Sequence, residues 1–366
     1  MTNIECSLKT LSPVHISSGQ EYDNSEFILS QAKTKNNKRI DIVKRIDLLK
    51  YYNSLNEDKK DEFLVNLTES KDLSQFDNRI SKEYTRYQCI NNVSKAGRGH
   101  FDKIIENVKT LNQLYIPGSS IKGAIKTALF YKLFESEDLN KIHNIINYRR
   151  GNNRDYQELI DSYFSNPKRN SAQYSIMKFL EISDTNSTKL PSIYDVITIK
   201  ATSNNGFVYH EKNDNTVRNY LETIEKNRKL KFNMNININD KIINYLRLND
   251  KKDIISLNNI KESLYEFNKD LIEYELEFAS IYHIDFLEKF YQKIEKENTL
   301  KQPLLHLGSG SGFMSTTIGL KIKKENLTLF DEVSKTAPKH YDYEFPKSRK
   351  IIPKGGNPLG WVKLTF

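Results

Sequence analysis

Residues 115–133 have the sequence Tyr115-Ile-Pro-Gly-Ser-Ser-Ile-Lys-Gly-Ala-Ile-Lys-Thr-Ala-Leu-Phe-Tyr-Lys-Leu133. An extended Tyr-Ile segment meets Pro117 and Gly118, which break a strand and turn the chain. We expect Ser119 or Ser120 to cap a helix there, because a serine hydroxyl accepts a hydrogen bond from a free amide of the first turn. Behind this cap, apolar residues recur at helical spacing and predict a buried face: Ile121, Ala124, Ile125, Ala128, Leu129 and Leu133.

Two lysines, Lys122 and Lys126, lie one turn apart on another face of this predicted helix. A cation in the first turn opposes the helix dipole, so Lys122 is mildly unfavourable there on its own. A phosphate bound at the helix start would offset this, because free amides, the serine hydroxyls and Lys122 would all point towards it. Gly123 leaves the surface bare enough for another backbone to approach. An amphipathic helix with two solvated lysines explains these residues equally well.

The same stretch carries a family resemblance. Ile116-Pro-Gly-Ser-Ser-Ile-Lys-Gly123, followed by an alanine-containing helix, resembles the signature of the repeat-associated mysterious proteins, the RAMP superfamily of CRISPR systems. The other hallmark of that superfamily is a glycine-rich loop near the C-terminus, and Leu304-Leu-His-Leu-Gly-Ser-Gly-Ser-Gly-Phe-Met-Ser-Thr-Thr317 fits it. Leu11-Ser-Pro-Val-His-Ile-Ser-Ser-Gly19 and Pro358-Leu-Gly-Trp-Val-Lys-Leu364 are similar to segments of the subunits that cap the guide RNA in type III-A complexes.

This resemblance implies a fold and a function. The fold would be α+β, with one or two ferredoxin-like (RNA-recognition-like) modules, helical insertions and a C-terminal glycine-rich loop. We expect one module at 1–185 with the central helix, and a second at 186–366 with a helical layer at 257–297 and the loop at 306–320. The function would be that of a non-catalytic RNA-binding subunit of a type III-A CRISPR effector complex, which caps the 3′ end of the guide RNA and supports guide maturation and antiviral defence.

The resemblance also implies partners and a binding surface. The partners would be the guide RNA, other Csm subunits, especially the backbone RAMP subunit, and host nucleases. RNA contacts would be mostly with phosphates, since backbone amides and lysines do not distinguish bases. The candidate RNA-binding residues are His15, Ser17, Gly19, Lys95, Arg98, Gly118, Ser119, Ser120, Lys122, Lys126, His306, Gly308, Ser309, Gly310, Ser311, Gly312 and Arg349.

Two of these assignments rest on segments with the composition of RNA-binding loops. Lys95-Ala-Gly-Arg-Gly-His100 is predicted to be a flexible basic loop, in which the glycines permit close approach to a phosphate that Arg98 can bind bidentately. The segment 341–350 is aromatic and basic, so its Phe345 and Arg349 could hold RNA by stacking and charge. Ordinary surface loops explain both segments as well.

Composition narrows the class of protein. With 366 residues, a net charge of +9 and a pI near 9.1, the chain predicts a sizeable core and a basic patch for a polyanion such as nucleic acid. No apolar run approaches membrane-spanning length, and the N-terminus lacks the pattern of a signal peptide. Cys6 and Cys89 are too few for a disulfide framework or a thiolate metal site. We therefore expect a cytoplasmic protein without metal or cofactor.

The glycine-rich segment Gly308-Ser-Gly-Ser-Gly312 lets backbone amides converge on an oxyanion. A nucleotide P-loop would end in Gly-Lys-Ser/Thr, whereas Phe313-Met-Ser315 stands there, which excludes that class. The stretch Leu304–Gly312 also resembles the first motif of S-adenosylmethionine-dependent methyltransferases. That fold needs several further βα units, and only a short tail interrupted by prolines follows, so a methyltransferase is a remote alternative.

The alternative from another functional class is an endoribonuclease that processes guide precursor RNA. His15 would be its general base, and His306 is the next candidate. No second catalytic group can be placed beside either histidine, and no group of His, Asp and Glu has the spacing of metal ligands. A histidine at the edge of the core, bonded to a backbone carbonyl, is the more ordinary interpretation of His15.

Hydrophobic periodicity predicts the remaining elements. Strands are expected at 4–11, 26–29, 39–43, 177–184, 195–200, 207–210, 230–238 and 359–366, with Trp361 anchoring the last one in the core. A helix is expected around 79–91. Another should begin at Leu257 and continue as a second helix through Phe286 to Ile294, with its apolar face on the protein's own sheet rather than on a partner helix.

Overall fold

The computed structural model describes residues 2–34, 36–98, 103–148, 153–166, 172–337 and 343–366. Numbered in chain order, its strands are β1 (Thr2–Thr10), β2 (Ser17–Asp23), β3 (Phe27–Lys33), β4 (Arg39–Ile46), β5 (Thr85–Asn91), β6 (Lys103–Asn107), β7 (Lys109–Thr110), β8 (Gln113–Leu114), β9 (Leu180–Ile182), β10 (Ser192–Ala201), β11 (Phe207–Tyr209), β12 (Glu211–Lys212), β13 (Asn215–Thr216), β14 (Arg218–Thr223), β15 (Lys229–Ile236), β16 (Leu304–His306), β17 (Ser348–Ile352), β18 (Asn357–Pro358) and β19 (Trp361–Thr365). Its α-helices are α1 (Leu48–Tyr52), α2 (Glu57–Thr68), α3 (Leu73–Phe76), α4 (Gly118–Leu133), α5 (Leu139–Tyr148), α6 (Asn153–Phe164), α7 (Asp240–Leu246), α8 (Leu257–Ile281), α9 (Asp285–Glu295), α10 (Gly312–Thr316), α11 (Gly319–Glu325) and α12 (Leu327–Lys335). Short 3₁₀ helices lie at Lys82–Tyr84, Lys95–Gly97, Ser136–Asp138, Ala172–Tyr174, Ile176–Phe179 and Asn249–Ile255.

The first sheet has the topology of a ferredoxin-like fold. Its strands lie in the order β16-β19-β1-β15-β9, and every neighbouring pair is antiparallel. Along the chain, β1, α4, β9, β15, α8 and β19 give the β-α-β-β-α-β arrangement, to which β16 adds an edge strand. The helices α4 and α8 pack against each other. The prediction of an α+β, ferredoxin-like fold is confirmed.

Strict alternation explains why β15 is a strand of this sheet. Leu230, Phe232 and Met234 are buried in the main core, while Lys231 and Asn233 between them are exposed. The long helix α8 buries its apolar stripe in the same core, as predicted for a helix packed on the protein's own sheet. The predicted anchor Trp361 on β19 is fully buried, and its ring lies 6.0 Å from that of Tyr291 on α9.

The second sheet is mixed. Its main path is β2-β6-β14-β10-β5-β4-β3, with β11 and β17 also paired to β10, and β18 paired to β17. The pairs β10–β5 and β14–β6 are parallel, and the others are antiparallel. The strands predicted at 26–29 and 39–43 are confirmed as β3 and β4, which pair with each other. The strands predicted at 195–200 and 207–210 are confirmed as β10 and β11, which form a hairpin around Asn205-Gly206.

Both sheets take strands from both sides of residue 185. The first combines β1 and β9 with β15, β16 and β19, and the second combines β2 to β6 with β10, β14 and β17. The predicted modules 1–185 and 186–366 therefore do not coincide with the two sheets. The division of the chain into these two modules stays a prediction.

Two predictions of secondary structure are wrong. The region 79–91 contains the strand β5 instead of a helix, since Cys89 is fully buried where β5 pairs with β4, and this tertiary contact outweighs local helix preference. The segment 177–184 contributes only the three residues of β9, because a 3₁₀ helix occupies Ile176–Phe179.

The position of β16 also removes the methyltransferase alternative. That fold places the glycine-rich turn after a parallel strand that leads into further βα units. Here β16, which precedes the glycine loop, lies at the edge of the first sheet and is antiparallel to β19. Within the described ranges, none of the helices is long and apolar enough to cross a membrane.

Candidate nucleic-acid interface

The central helix α4 begins at Gly118, before either of the predicted caps. Pro117 occupies the N-cap position and its carbonyl accepts the amide hydrogen of Ser120 at 3.0 Å, so the prediction that Ser119 or Ser120 caps the helix is wrong. A proline in extended conformation with no free amide suits this position. A Cβ at residue 118 would lie 2.2 Å from the carbonyl oxygen of Ile182, which explains the glycine.

A carboxylate of the protein itself occupies the start of α4. The Gly118 amide donates to Oδ1 of Asp184 at 2.8 Å, and Thr185 is bound to Ile116 through both its amide and its hydroxyl. Asp184 thus supplies the negative charge that favours a helix N-terminus. The RNA-binding assignments of Gly118, Ser119 and Ser120 stay predictions, and a phosphate would share this helix start with Asp184.

Lys122 and Lys126 have different environments. Lys126 forms an ion pair with Asp161 of α6 at 2.7 Å, whereas Lys122 makes no hydrogen bond or ion pair with any residue in the described ranges. Burial lowers the pKa of Lys122, and Lys126 lowers it further while Glu181 raises it. Next to Lys122, Gly123 faces open space. Lys122 is therefore the lysine whose charge an incoming anion would stabilise.

The glycine loop, which we define as residues 307–312, rests on the segment Pro13–His15. The Ser309 amide donates to the carbonyl of His15 at 2.8 Å, and a Cβ at Gly308 would lie 2.1 Å from that same oxygen. At its other end, the Leu307 amide donates to the carbonyl of Gly360, whose own amide donates to the carbonyl of Pro13. The fold thus brings together the glycine-rich segment and the segment 11–19, both of which the family resemblance names. The helix that follows the loop, α10, contacts α4.

Several hydroxyls of this loop and of α10 donate hydrogen bonds to backbone carbonyls of the same segment. Ser311 donates to the carbonyl of Gly308 at 2.6 Å, and Ser315 and Thr316 donate to carbonyls one turn earlier. By contrast, the Gly310 amide and the Ser309 hydroxyl have no hydrogen-bond partner among the described parts of the chain. Gly310 and Ser309 are half-exposed, so these two donors are among those that remain available to an anion.

His15 holds its loop in place from inside the protein. Its side chain is buried, and Nδ1 donates to the carbonyl of Glu222 at 2.6 Å. Burial lowers the pKa of His15, while the hydrogen bond to Glu222 opposes this shift. The interpretation of His15 as a histidine at the edge of the core, bonded to a backbone carbonyl, is confirmed.

Glu222 on β14 is the residue that sequence reasoning missed. Its carboxylate is fully buried and accepts hydrogen bonds from the hydroxyls of Tyr22 and Tyr87 and from the ammonium of Lys109, each at 2.7 Å. Its second oxygen also accepts the amide of Asn107, whose side chain accepts the Ile16 amide. No local pattern marks Glu222, because its partners come from four separate strands.

The side chain of His306 likewise makes its contacts within the protein. Its ring stacks on Trp361 with centroids 4.4 Å apart, and Nε2 donates to the carbonyl of Leu359 at 2.9 Å. Burial lowers the pKa of His306 to about 4, so the ring is neutral near pH 7. Its predicted contact with RNA stays untested, but the stacked ring anchors the start of the glycine loop.

The predicted basic loop after β5 is anchored rather than free. Gly97 is buried, its carbonyl accepts the hydroxyl of Tyr220 at 2.6 Å, and a Cβ there would lie 2.7 Å from the carboxylate of Asp195. The glycine thus serves internal packing. Lys95 and Arg98 are exposed, and Arg98 pairs with Asp41 at 3.1 Å. The end of the predicted loop, Gly99-His100, lies outside the described residues.

Arg349 lies on β17, and its side chain is largely buried in an ion pair with Glu275. Its Nε contacts both oxygens of Glu275 at 2.9 and 2.7 Å, and its guanidinium carbon lies 3.8 Å from the centre of the Phe278 ring. The remaining nitrogens donate to two carbonyls and to Tyr274. An RNA phosphate would have to displace Glu275, and the RNA contact of Arg349 stays a prediction.

Ser17 and Gly19 lie at the start of β2, directly after the His15 segment. The Gly19 amide donates to the Ser17 hydroxyl at 3.1 Å. Gly19 is exposed, and a Cβ added to it would meet no other part of the protein within 4 Å. The fold therefore groups His15, Ser17 and Gly19 with the glycine loop. It keeps Arg98 and Arg349 in ion pairs elsewhere.

Comparison with known proteins agrees with this geometry. Residues 7–315 match the RAMP superfamily. Over 398 aligned residues, the chain is 25% identical to "CRISPR system Cms protein Csm5" of Methanocaldococcus jannaschii, covering 99% of this chain and 88% of that protein. A protein of the same name from Streptococcus thermophilus is 33% identical over 141 residues, which are 34% of this chain and 36% of that protein.

Two solved structures share the fold over nearly the whole chain. One is a chain of the "Cryo-EM structure of Csm-crRNA-target RNA ternary complex in type III-A CRISPR-Cas system", with a TM-score of 0.70, 22% identity, and coverage of 98% of this chain and 99% of that one. The other is the "Crystal structure of T.onnurineus Csm5", with a TM-score of 0.65, 19% identity, and coverage of 97% and 99%. From the match of residues 7–315, the ferredoxin-like sheet and the glycine loop seated on Pro13–His15, the chain belongs to the RAMP superfamily.

Proposed function

We propose that the chain is a non-catalytic RNA-binding subunit of a type III-A CRISPR effector complex, and that it caps the 3′ end of the guide RNA. The observation that carries this proposal is the glycine loop seated on Pro13–His15, with the Gly310 amide and the Ser309 hydroxyl left as donors on a half-exposed surface. Such donors bind phosphates without reading bases. Full-length similarity to Csm5 proteins supports the same role.

Neither of the two histidines named for the ribonuclease alternative is placed to act as its general base. A general base must reach the proton that it abstracts, and His15 is buried with Nδ1 donating to the carbonyl of Glu222. His306 is stacked on Trp361 and donates to the carbonyl of Leu359. Both histidines therefore support backbone segments of the interface, which is the work of a binding subunit.

The partners in this proposal are the guide RNA, the backbone RAMP subunit on which the chain would dock, and the other Csm subunits, acting together in the cytoplasm. Host nucleases that trim the guide would be recruited at the same end of the complex. The net charge of +9 favours the RNA partner, since a basic surface attracts a polyanion over long range.

Exonuclease protection tests the capping role. Complexes are reconstituted on labelled guide RNA with and without this chain, and then treated with a 3′→5′ exonuclease. We expect the 3′ end to be degraded further when the chain is omitted, because nothing else would cover the final phosphates. A 5′→3′ exonuclease serves as the control and should give the same result for both complexes. Full 3′ protection without the chain would refute the proposal.

A further inference from the structure

Three lysines lie side by side across one end of the first sheet. Lys9 on β1 is directly opposite Lys229 on β15 and, on its other side, directly opposite Lys363 on β19. Directly paired residues point to the same face, and neighbouring strands are only about 4.8 Å apart. We call these residues the lysine row. Like charges directly opposite each other destabilise a sheet, so folding stability does not explain why three lysines are placed together here.

Carboxylates of the protein neutralise the positive charge of the lysine row only in part. Lys363 pairs with Glu297, whose carboxylate has its pKa lowered by Lys363 and, more weakly, by Lys9. Lys9 and Lys229 themselves are exposed and form neither a hydrogen bond nor an ion pair with the residues that the structure describes. Further along β15, Lys231 is paired with Glu5 at 2.7 Å. Two adjacent ammonium groups thus have no direct ion pair among the described residues, and only the longer-range attraction of Glu297 for Lys9 and of Glu5 for Lys229 balances them.

The positive charge continues into the turn between β14 and β15. This turn contains Lys226, which is exposed, and Arg228, which is half-buried. It lies against the end of β1, because Thr10 exchanges backbone hydrogen bonds with Arg228 and Asn227. The lysine row and this turn therefore form one basic surface.

The chemistry of this face favours a phosphate backbone over a protein surface. The residues of β1 and β15 on this face are all polar or charged, and only Ser7 among them is buried: Asn3, Glu5, Ser7, Lys9, Lys229, Lys231, Asn233 and Asn235. The cores of protein interfaces are rich in aromatic residues and poor in lysine, which is the reverse of this composition. Since these strands offer no aromatic ring on this face for base stacking, it would contact phosphates only.

The lysine row is also close to the glycine loop along the chain. β1 leads directly into the segment Pro13–His15 that carries the loop, and the six residues from Lys9 to His15 can span at most about 20 Å. An RNA strand can therefore pass from one surface to the other. We propose that the lysine row binds the phosphate backbone of an RNA strand and extends the interface beyond the glycine loop. This inference rests on the proposed function.

The test uses the purified full-length chain, a fluorescent single-stranded RNA with the guide sequence, and binding isotherms at several salt concentrations. In the double variant Lys9→Ala/Lys229→Ala, we expect the slope of log affinity against log salt to fall by roughly 1.4, at about 0.7 per lost phosphate contact. The melting temperature should stay the same or rise, because repulsion is relieved. Lys9→Arg/Lys229→Arg should keep the wild-type slope.

Lys231→Ala is the matched control, since Lys231 lies on the same face but is already paired with Glu5. It should change the slope much less than the double variant. If the wild type binds RNA and the slope is unchanged in the double variant, the lysine row does not bind RNA, and the proposed function is unaffected. Wild-type protein that binds no RNA would overturn both. Normal RNA binding with failed assembly of the Csm complex would instead identify the row as a protein contact and overturn it.

Discussion

Lys122 and Lys126 lie on adjacent turns of α4 and differ in the groups around them. The ammonium of Lys126 is held by Asp161, while that of Lys122 is partly buried with no ion-pair partner among the described residues. An anion beside Lys122 would raise the lowered pKa of this lysine and be stabilised in return. An anion beside Lys126 would first have to compete with a carboxylate.

We therefore expect Lys122→Ala and Lys126→Ala to have different effects. For RNA binding measured against salt, Lys122→Ala should reduce the slope by about 0.7, the value for one lost phosphate contact on a single strand. Lys126→Ala is the matched control and should leave the slope unchanged, while it costs about 0.2–1 kcal/mol of folding stability through the lost ion pair. Equal loss of slope in both variants would place both lysines on the RNA, and no loss in either would remove α4 from the interface.

The glycine loop and the Pro13–His15 segment act as one structural element although they are far apart in the chain. Gly308, Gly310 and Gly312 all have positive φ angles, of 70°, 98° and 71°. Gly308 is also pressed against another segment, because a Cβ there would lie 2.1 Å from the carbonyl of His15, while Gly312 faces open space. Conformation alone thus explains Gly312, and conformation with close packing explains Gly308.

This difference predicts the result of two alanine substitutions. Gly312→Ala should cost about 1–2 kcal/mol, the penalty for a side chain in the left-handed region. Gly308→Ala should cost more, by about a further 1–3 kcal/mol, because it also breaks the hydrogen bond between Ser309 and His15 and leaves that carbonyl unsatisfied. Urea denaturation followed by circular dichroism measures both. Equal costs would show that the loop is not held by the His15 segment.

At the scale of the whole molecule, the first sheet has only short edges to which a second copy of the chain could add a strand. Its two edge strands, β9 and β16, have three residues each. Short edge strands discourage edge-to-edge pairing. The apolar stripe of α8 is used in the core, so this helix offers no free seam to another copy either. These features of the first sheet and of α8 suit a subunit that ends a row, whereas the second sheet has the seven-residue strands β2 and β3 at the ends of its main path.

Native mass spectrometry of the reconstituted complex tests this inference. We expect one copy of the chain per particle, whatever the number of backbone subunits, because a terminal position can be filled only once. Particles assembled on guide RNAs of increasing length provide the control, since they should gain backbone subunits but not this chain. Two or more copies per particle would contradict the terminal position.

Local patterns in the sequence are sufficient for several elements and, through the family resemblance that they carry, for the fold class and the family. The residues after Pro117 have helical periodicity, β15 alternates strictly, and the glycine-rich segment has the composition of the RAMP loop, so each can be recognised without its neighbours. Such patterns depend on backbone geometry within a single element. For this reason the sequence alone predicts α4, α8, β15 and the position of the glycine loop.

The partner of each polar group, in contrast, is decided by the tertiary structure. Asp184 at the start of α4, the His15 carbonyl under Ser309 and Glu275 beside Arg349 each join segments that are distant in sequence. A lysine, arginine or free amide looks the same in the sequence whether a carboxylate lies beside it or not. Only packing determines which donors remain unpaired within the described residues. Lys9, Lys122 and Lys229 are among these donors, and they are the lysines that we propose for RNA binding.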